Sequence, residues 1–509
     1  MPNTSYTTGK WTSLWLDTTP TTAYGTMHPD VTVDVAIIGG GIAGLTTGLL
    51  LAQAGKRVVL LERGRIVTHV TGFTTAKLTA NHGLIYHHLI EKFDEDRART
   101  YAQANTAALR YVGAYTEKLG IECDLQQMPA FTYSVSDDER QQLREEAAAA
   151  ASCGLPASYT EEVPLPFATV GAVRFDDQYI FHPRKYLLAV AEDFVHAGGL
   201  ICENTRTTKI EEQDDRCLVT TDEGTVQARD VVIATNFPIY DPKLFFARLT
   251  TGQSYVLGVK LEKPFPAGMF YSTDAAEHSL RPHWAGTDHE IVLVGGETHP
   301  TGKGGDTVQR YLHLENWARK KLPLKSIEYH WSTHDTQSYD KVPMIGKLTS
   351  STQHLYVATG FKGWGMSHGT VAGLLLRDEI TGKQTSWSTL FNPNRFTSFA
   401  SGELLASNVS IVSTLIKGKF ASYAESIADL PNDDARVVEV DGAKIAVYRD
   451  AQGTVHAISA ACTHMGCIVT WNTAEKTWDC PCHGSRFDCD GHVVHAPAIN
   501  DLAAHTGHL

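Results

Sequence analysis

Long apolar runs are missing from this 509-residue sequence. No stretch reaches the roughly 18 consecutive apolar residues of a membrane span, so no transmembrane helix is expected. Basic residues are short as well: 44 Lys and Arg against 57 Asp and Glu leave a net charge of −13. That balance argues against a nucleic-acid binder, which needs a basic face to track phosphates. The opening residues, MPNTSYTTGKWTSLWLDTTP, lack the basic-then-apolar profile of a secretory signal, and the cytoplasm is the expected location. Cysteine is sparse over most of the chain. Cys123, Cys153, Cys202 and Cys217 are scattered and read as buried thiols. Cys462, Cys467, Cys480, Cys482 and Cys489 instead crowd together near the C-terminus. Without a secretion signal, such a cluster favours metal over a disulfide framework.

What is present divides into several domains, since the chain exceeds the usual single-domain size. Val33–Arg63 sets the first. Val35–Ile38 is a short apolar run suited to a fully buried parallel strand. It breaks into Gly39-Gly40-Gly41-Ile42-Ala43-Gly44, a G-x-G-x-x-G. Its glycines permit the tight turn, the approach of a pyrophosphate and close helix–strand packing. A helix over Leu45–Ala54 ending at Gly55, a strand over Arg57–Leu61 and a terminal acid, Glu62, placed for a ribose hydroxyl, complete a dinucleotide-binding βαβ unit.

Further along, Gly72–Gly83 is dense in hydroxyl and small residues, including Thr74, Thr75 and Lys77. Helices are expected near Asp96–Leu119, Asp137–Ser152 and Pro183–His196. Arg216–Thr221 and Thr225–Ala228 read as a β-meander, and Asp230–Asn236 as a separate buried strand. Ser254–Val259, Glu290–Val294 and Ser326–Ser332 read as strands of a sheet covering the substrate side. His354–Gly373 is another strand running through glycines into a helix. A linker or helix over 401–429 leads to a β-rich remainder, 430–509.

In that remainder, Cys462-Thr463-His464-Met465-Gly466-Cys467 and Cys480-Pro481-Cys482-His483-Gly484-Ser485 reduce to C-x-H, a 15-residue gap and C-x-x-H. Two thiolates and two imidazoles suit tetrahedral zinc, or a [2Fe–2S] centre in which two His replace two Cys on one iron. Cys467 and Cys482 occupy equivalent places in the two loops.

CTHMGC…CPCHGS resembles the Rieske iron–sulfur domain of cytochrome bc complexes. The resemblance implies Cys462 and Cys480 on one iron, His464 and His483 on the other, and a Cys467–Cys482 disulfide. High-potential members carry Gly-Ser-x-Tyr after the second loop; here Ser485 is kept but Phe487 stands in the Tyr place. Hydrogen bonds to cluster sulfur raise the potential, so a lower potential is expected.

The region 1–400 is similar to the D-amino-acid oxidase or glycine oxidase superfamily of FAD-dependent oxidoreductases. DVAIIGGGIAGL with Glu62, Gly72–Gly83, Gly198–Thr205 with Ala234-Thr235, and Val357–Gly369 carry the likeness. It implies an α/β Rossmann-like FAD-binding domain with an inserted α+β substrate domain, followed by a small all-β Rieske domain. FAD contacts are expected from Gly39, Gly41, Gly44, Glu62, Arg63, Thr74, Thr75, Gly360, Gly365 and Met366. Lys77 and Lys362 are catalytic candidates, with Lys362 placed to hold positive charge near the ring. His334 and Tyr339 read as structural hydrogen-bonders. The combination implies that a small substrate, an amine or amino acid, reduces FAD. Electrons then pass singly to the [2Fe–2S] cluster and on to an acceptor such as a carrier protein, quinone or oxygen. The alternative is a flavin oxidase or redox sensor whose cluster is structural or regulatory. A pyridine-nucleotide reductase fits less well, because no second G-x-G-x-x-G lies between two strands.

Overall fold

The computed structural model describes residues 8–27, 30–242, 244–284, 290–395, 411, 413–418, 421–424 and 426–507. The expected linker over 401–410 lies outside them. At the centre, Val31–Ile38 runs parallel to Thr225–Asn236 on one side and to Val58–Leu61 on the other. Ile37 stands opposite both Val232 and Leu60. Strand neighbours and a helix layer leave Val35–Ile38 almost without exposed surface, which is why the run is apolar without alternation. Leu200–Cys202 and Leu355–Thr359 extend this sheet in parallel, and Met344–Lys347 joins antiparallel at the edge, giving eight strands with the meander.

The helices Ile42–Gln53 and Gly365–Ile380 follow two of these strands and pack on one another, with Gly369 against Ile42 and Gly373 against Thr46. Their N-termini therefore open side by side at the carboxyl ends of the parallel strands, the ordinary ligand side of such sheets. Pro183–His196 is helical over the expected span; Pro at the first position and the His182 side chain cap its start.

One expectation needs correcting. The second strand of the meander and Asp230–Asn236 are a single strand, Thr225–Asn236. The Arg229-Asp230 pair reads as a break, but Asp230 stays in the strand because His354 Nδ1 meets its carboxylate at 3.0 Å.

A second sheet of ten strands stands beside the first. Its long members, Leu249–Leu261, Glu290–Pro300 and Leu324–Ser338, extend well beyond the short segments visible as apolar runs. Their outer parts carry Thr, Gln, His and Asp, and pairing of Leu249–Leu261 with both partners holds those parts extended. The C-terminal region forms antiparallel sheets of three and four strands. Trp478 and Phe487, fully buried, fill its core.

The C-terminal domain sits directly on the body formed by the two large sheets. Arg63 donates to the carbonyls of Val493 and Val494 at 2.7 and 2.6 Å. Thr307 Oγ1 donates to Asn472 Oδ1 at 2.7 Å, and Tyr311 OH to Glu475 Oε1 at 2.8 Å. Among the described residues no helix is long and apolar enough to cross a membrane.

Candidate active site and iron–sulfur centre

The glycine turn is shaped by contacts that a side chain would break. Gly39 has φ +110°, and a Cβ there would meet the Ala234 carbonyl oxygen at 2.6 Å. A Cβ on Gly44 would lie 1.9 Å from the Gly39 carbonyl oxygen, because this helix turn sits directly on the strand end. The Glu62 carboxylate accepts from the Gly40 N–H at 2.7 Å and from the Gly64 N–H at 2.9 Å. A carboxylate has lone pairs to spare for a hydroxyl as well.

Two cavities meet at this turn. A small one, about 160 Å³, lies beside Gly39, Gly41, Glu62, Arg63 and Thr205. A large one, about 690 Å³, runs from Gly41 past Thr74, Thr75 and Lys77 to Gly365 and Met366. Gly41, Thr71 and Asn236 line both, so the pair form one elongated track past a helix N-terminus whose N-cap, Gly41, has no side chain. A side-chain-free turn, an acid at one end and a broad chamber at the other fit an extended flavin dinucleotide.

The expected residues fall into place unevenly. Thr74 and Thr75 line the chamber and cap no helix; Thr74 Oγ1 accepts from the Ala76 N–H two residues on, at 3.0 Å. Lys77 also faces the chamber, and its Nζ donates to Thr75 Oγ1 and Ser279 Oγ, both at 3.0 Å. Burial, with the Arg281 guanidinium adding to it, pushes this ammonium down to about 7. Lys362 lines the opposite part in a left-handed conformation, φ +46°, and burial lowers its pKa while Glu277 opposes the shift. Gly44 is a packing position behind the turn. Gly360 is set back from the wall, against Leu249 and Ser338. Arg63 reaches the small cavity, yet its guanidinium is held by the C-terminal domain.

Several wall residues carry no individual signal in the sequence. Glu277 comes from the turn before Ser279–Trp284 and Asp335 from the strand Leu324–Ser338, and burial, reinforced by Glu277, pushes the Asp335 carboxyl up to about 6. Trp364 lies in the wall with its ring stacked on His82 at 4.9 Å. Thr71 Oγ1 accepts from the Ile42 N–H at 3.3 Å.

At the C-terminal loops, Cys467 and Cys482 form a disulfide. Cys462 and Cys480 are buried free thiols within hydrogen-bond reach of one another, and Cys480 holds the Cys462 thiol down to about 7. The rings of His464 and His483 stand 5.0 Å apart, nearly perpendicular. Nδ1 of each is buried without a hydrogen-bond partner. Burial lowers His483 to about 3, which keeps the imidazole neutral as a metal ligand requires. Cys467, Cys480 and Cys482 sulfurs also lie within 4.8 Å of each other, but the disulfide leaves only Cys480 of the three able to bind as a thiolate. Two thiols and two orphaned imidazole nitrogens on facing loops fit a [2Fe–2S] cluster of the Rieske kind. Ser485 Oγ accepts from the Ala498 N–H at 3.0 Å, and the Ser485 hydroxyl adds to the lowering of the Cys462 thiol. Phe487 offers no such donor. The first loop keeps Met465 45% exposed, whereas Pro481 and Cys482 of the second loop line the large cavity.

Fold and sites together define a flavin-dependent oxidoreductase carrying a Rieske iron–sulfur domain. Residues 34–379 match the FAD dependent oxidoreductase family and residues 422–506 the Rieske [2Fe-2S] domain. The chain belongs to this FAD dependent oxidoreductase family, and its cofactors are FAD and a [2Fe–2S] cluster. It is 34% identical to the Rieske 2Fe-2S iron-sulfur protein YhfW of Bacillus subtilis (strain 168), over 96% of both chains. It is 22% identical to gamma-glutamylputrescine oxidoreductase of Escherichia coli (strain K12), over 72% of this chain and 88% of that one. Glycine oxidase from Geobacillus kaustophilus has the same fold over 72% of this chain and all of its own, with a TM-score of 0.60 at 19% identity.

Proposed function

We propose that this protein oxidises a small amine or amino acid at the flavin and exports the electrons, through its own Rieske centre, to an external acceptor in the cytoplasm. The observation that supports this best is the shared wall: Pro481 and Cys482, from the second cysteine loop, line the same 690 Å³ cavity as Lys77, Lys362 and Gly365. When bound, the flavin supplies two-electron acceptance and the cluster one-electron acceptance.

The chain's own residues bind, orient and move protons. Gly39, Gly41 and Glu62 hold the nucleotide, with Gly44 packing the turn from behind and Thr74, Thr75, Gly365 and Met366 around the chamber. Cys462, Cys480, His464 and His483 hold the iron. Lys77 Nζ, which gives up its proton near pH 7, takes the proton that a substrate ammonium must lose before oxidation. Lys362 carries positive charge on the far wall and offsets Glu277.

The test is anaerobic. The purified protein is assayed for FAD, iron and sulfide, then titrated with candidate amines while absorbance and EPR are recorded. A reduced Rieske signal appearing after flavin bleaching is the expected result, and in a Cys462→Ser variant the flavin should bleach with no onward transfer. Bleaching with a cluster that stays oxidised overturns the export reading and favours an oxidase.

A further inference from the structure

The small cavity at the Glu62 end is built by both domains. Gly40, Glu62 and Thr205 form one side; His495, Ala496 and Ile499, from the iron–sulfur domain, form the other. Some of the polar ties between the domains lie at this place, others at the Thr307–Asn472 contact. Arg63, next to Glu62, donates to the carbonyls of Val493 and Val494, and Arg206 Nη1 lies 3.3 Å from Asp501 Oδ2. Two imidazoles meet across the seam. His69, whose Nε2 lies 3.7 Å from Glu62 Oε1, has its ring centroid 6.0 Å from that of His495. His69 Nε2 is buried and makes no hydrogen bond. On its other side His495 stacks on His334 at 4.9 Å. His69 and His495 thus both face a cavity bordered by the glycine turn, with imidazole nitrogens able to serve sugar and phosphate oxygens.

We infer that the iron–sulfur domain is part of the FAD site: Val494–Ile499, through His495, closes the nucleotide end, so FAD binding and domain docking are one coupled equilibrium. This rests on the reading that FAD lies along the glycine turn. Any ligand that contacts both domains stabilises their docked arrangement, and docking raises the ligand's affinity by the same factor.

The experiment uses the full chain, stripped of flavin with its cluster retained, and follows hydrogen exchange with and without FAD. Peptides covering 493–499 should exchange about tenfold more slowly with FAD bound, alongside those covering the glycine turn, 39–44. Protection of 39–44 with no change at 493–499 overturns the inference. Absence of protection at both, with no flavin bound, overturns the FAD reading instead. His495→Ala, with its Rieske EPR signal intact, should bind FAD about tenfold more weakly, the effect of one lost hydrogen bond. Should that variant lose the cluster, Ile499→Asp on the same wall is measured in its place. An FAD affinity within twofold of the parent's in the variant that keeps its cluster overturns the inference.

Discussion

The ring of Phe246, on the flavin-side body, stands edge-on to that of His483, with centroids 5.0 Å apart and planes at 68°. The same ring meets His464 at 5.9 Å. One aromatic side chain thus covers the edge of the iron–sulfur centre formed by its two histidines. Asp241 fixes the short turn that carries it, accepting from the Phe245 and Phe246 N–H groups at 2.5 and 2.9 Å.

Removing this wedge tests whether close packing serves electron transfer. Phe246→Ala should leave substrate reduction of the flavin unchanged and slow the reduction of the cluster that follows, read by stopped-flow absorbance. The stability loss should fall short of the ~3–5 kcal/mol of a fully buried Phe, since Phe246 is only half-buried. An unchanged second phase would remove Phe246 from the transfer route.

Lys77 gives a pH signature. With its ammonium at about 7, the neutral amine is present above that pH, so kcat/KM should rise through about pH 7. Lys77→Met should lower kcat roughly 10²-fold and flatten that limb. The unfolded chain keeps this proton to about pH 10.4. Between about 7 and 10.4 it therefore binds more protons than the folded chain, and stability rises with pH across that window. Denaturant midpoints of the parent and of Lys77→Met, compared at pH 7 and pH 9, should differ in that direction, with the rise smaller in the variant.

Gly44→Ala places a methyl group 1.9 Å from a backbone oxygen that cannot retreat without moving the strand end. Flavin per chain in the purified protein should fall to near zero, while iron per chain persists in whatever folds.

Phe487→Tyr supplies a hydroxyl in the place where high-potential Rieske domains carry one. Redox titration should show an upward shift in the cluster's potential. The Phe site is fully buried, so a structure of the variant or its unchanged EPR line shape is the control for packing. No upward shift would overturn the expectation that Phe487 in the Tyr place lowers the potential.

Legibility in the sequence followed the range of the forces involved. The Val33–Arg63 unit could be read because strand, turn, helix and acid are neighbours in the chain and each constrains the next. The Pro183–His196 helix carries its own start signals. The paired cysteine loops declare themselves by spacing, and the disulfide lies where the Rieske resemblance implies it. Glu277 and Asp335 could not be found, since two isolated acids, one in a turn and one on a strand, become a site only when the ten-stranded sheet brings them together. Phe246 and His483 are separated by most of the second half of the chain, so their packing leaves no local trace. Arg63 illustrates the same limit: beside Glu62 it reads as a nucleotide contact, while its guanidinium is committed to two carbonyls of another domain.

The Arg63 clasp has a kinetic meaning under the proposed relay. A donor and acceptor held in one rigid seat need no encounter, so the internal leg should be indifferent to dilution, viscosity and salt. On that relay, collisions with the acceptor should begin at the exposed loop around Met465, and only that outward leg should feel the ionic strength and the concentration of whatever carries the electron away.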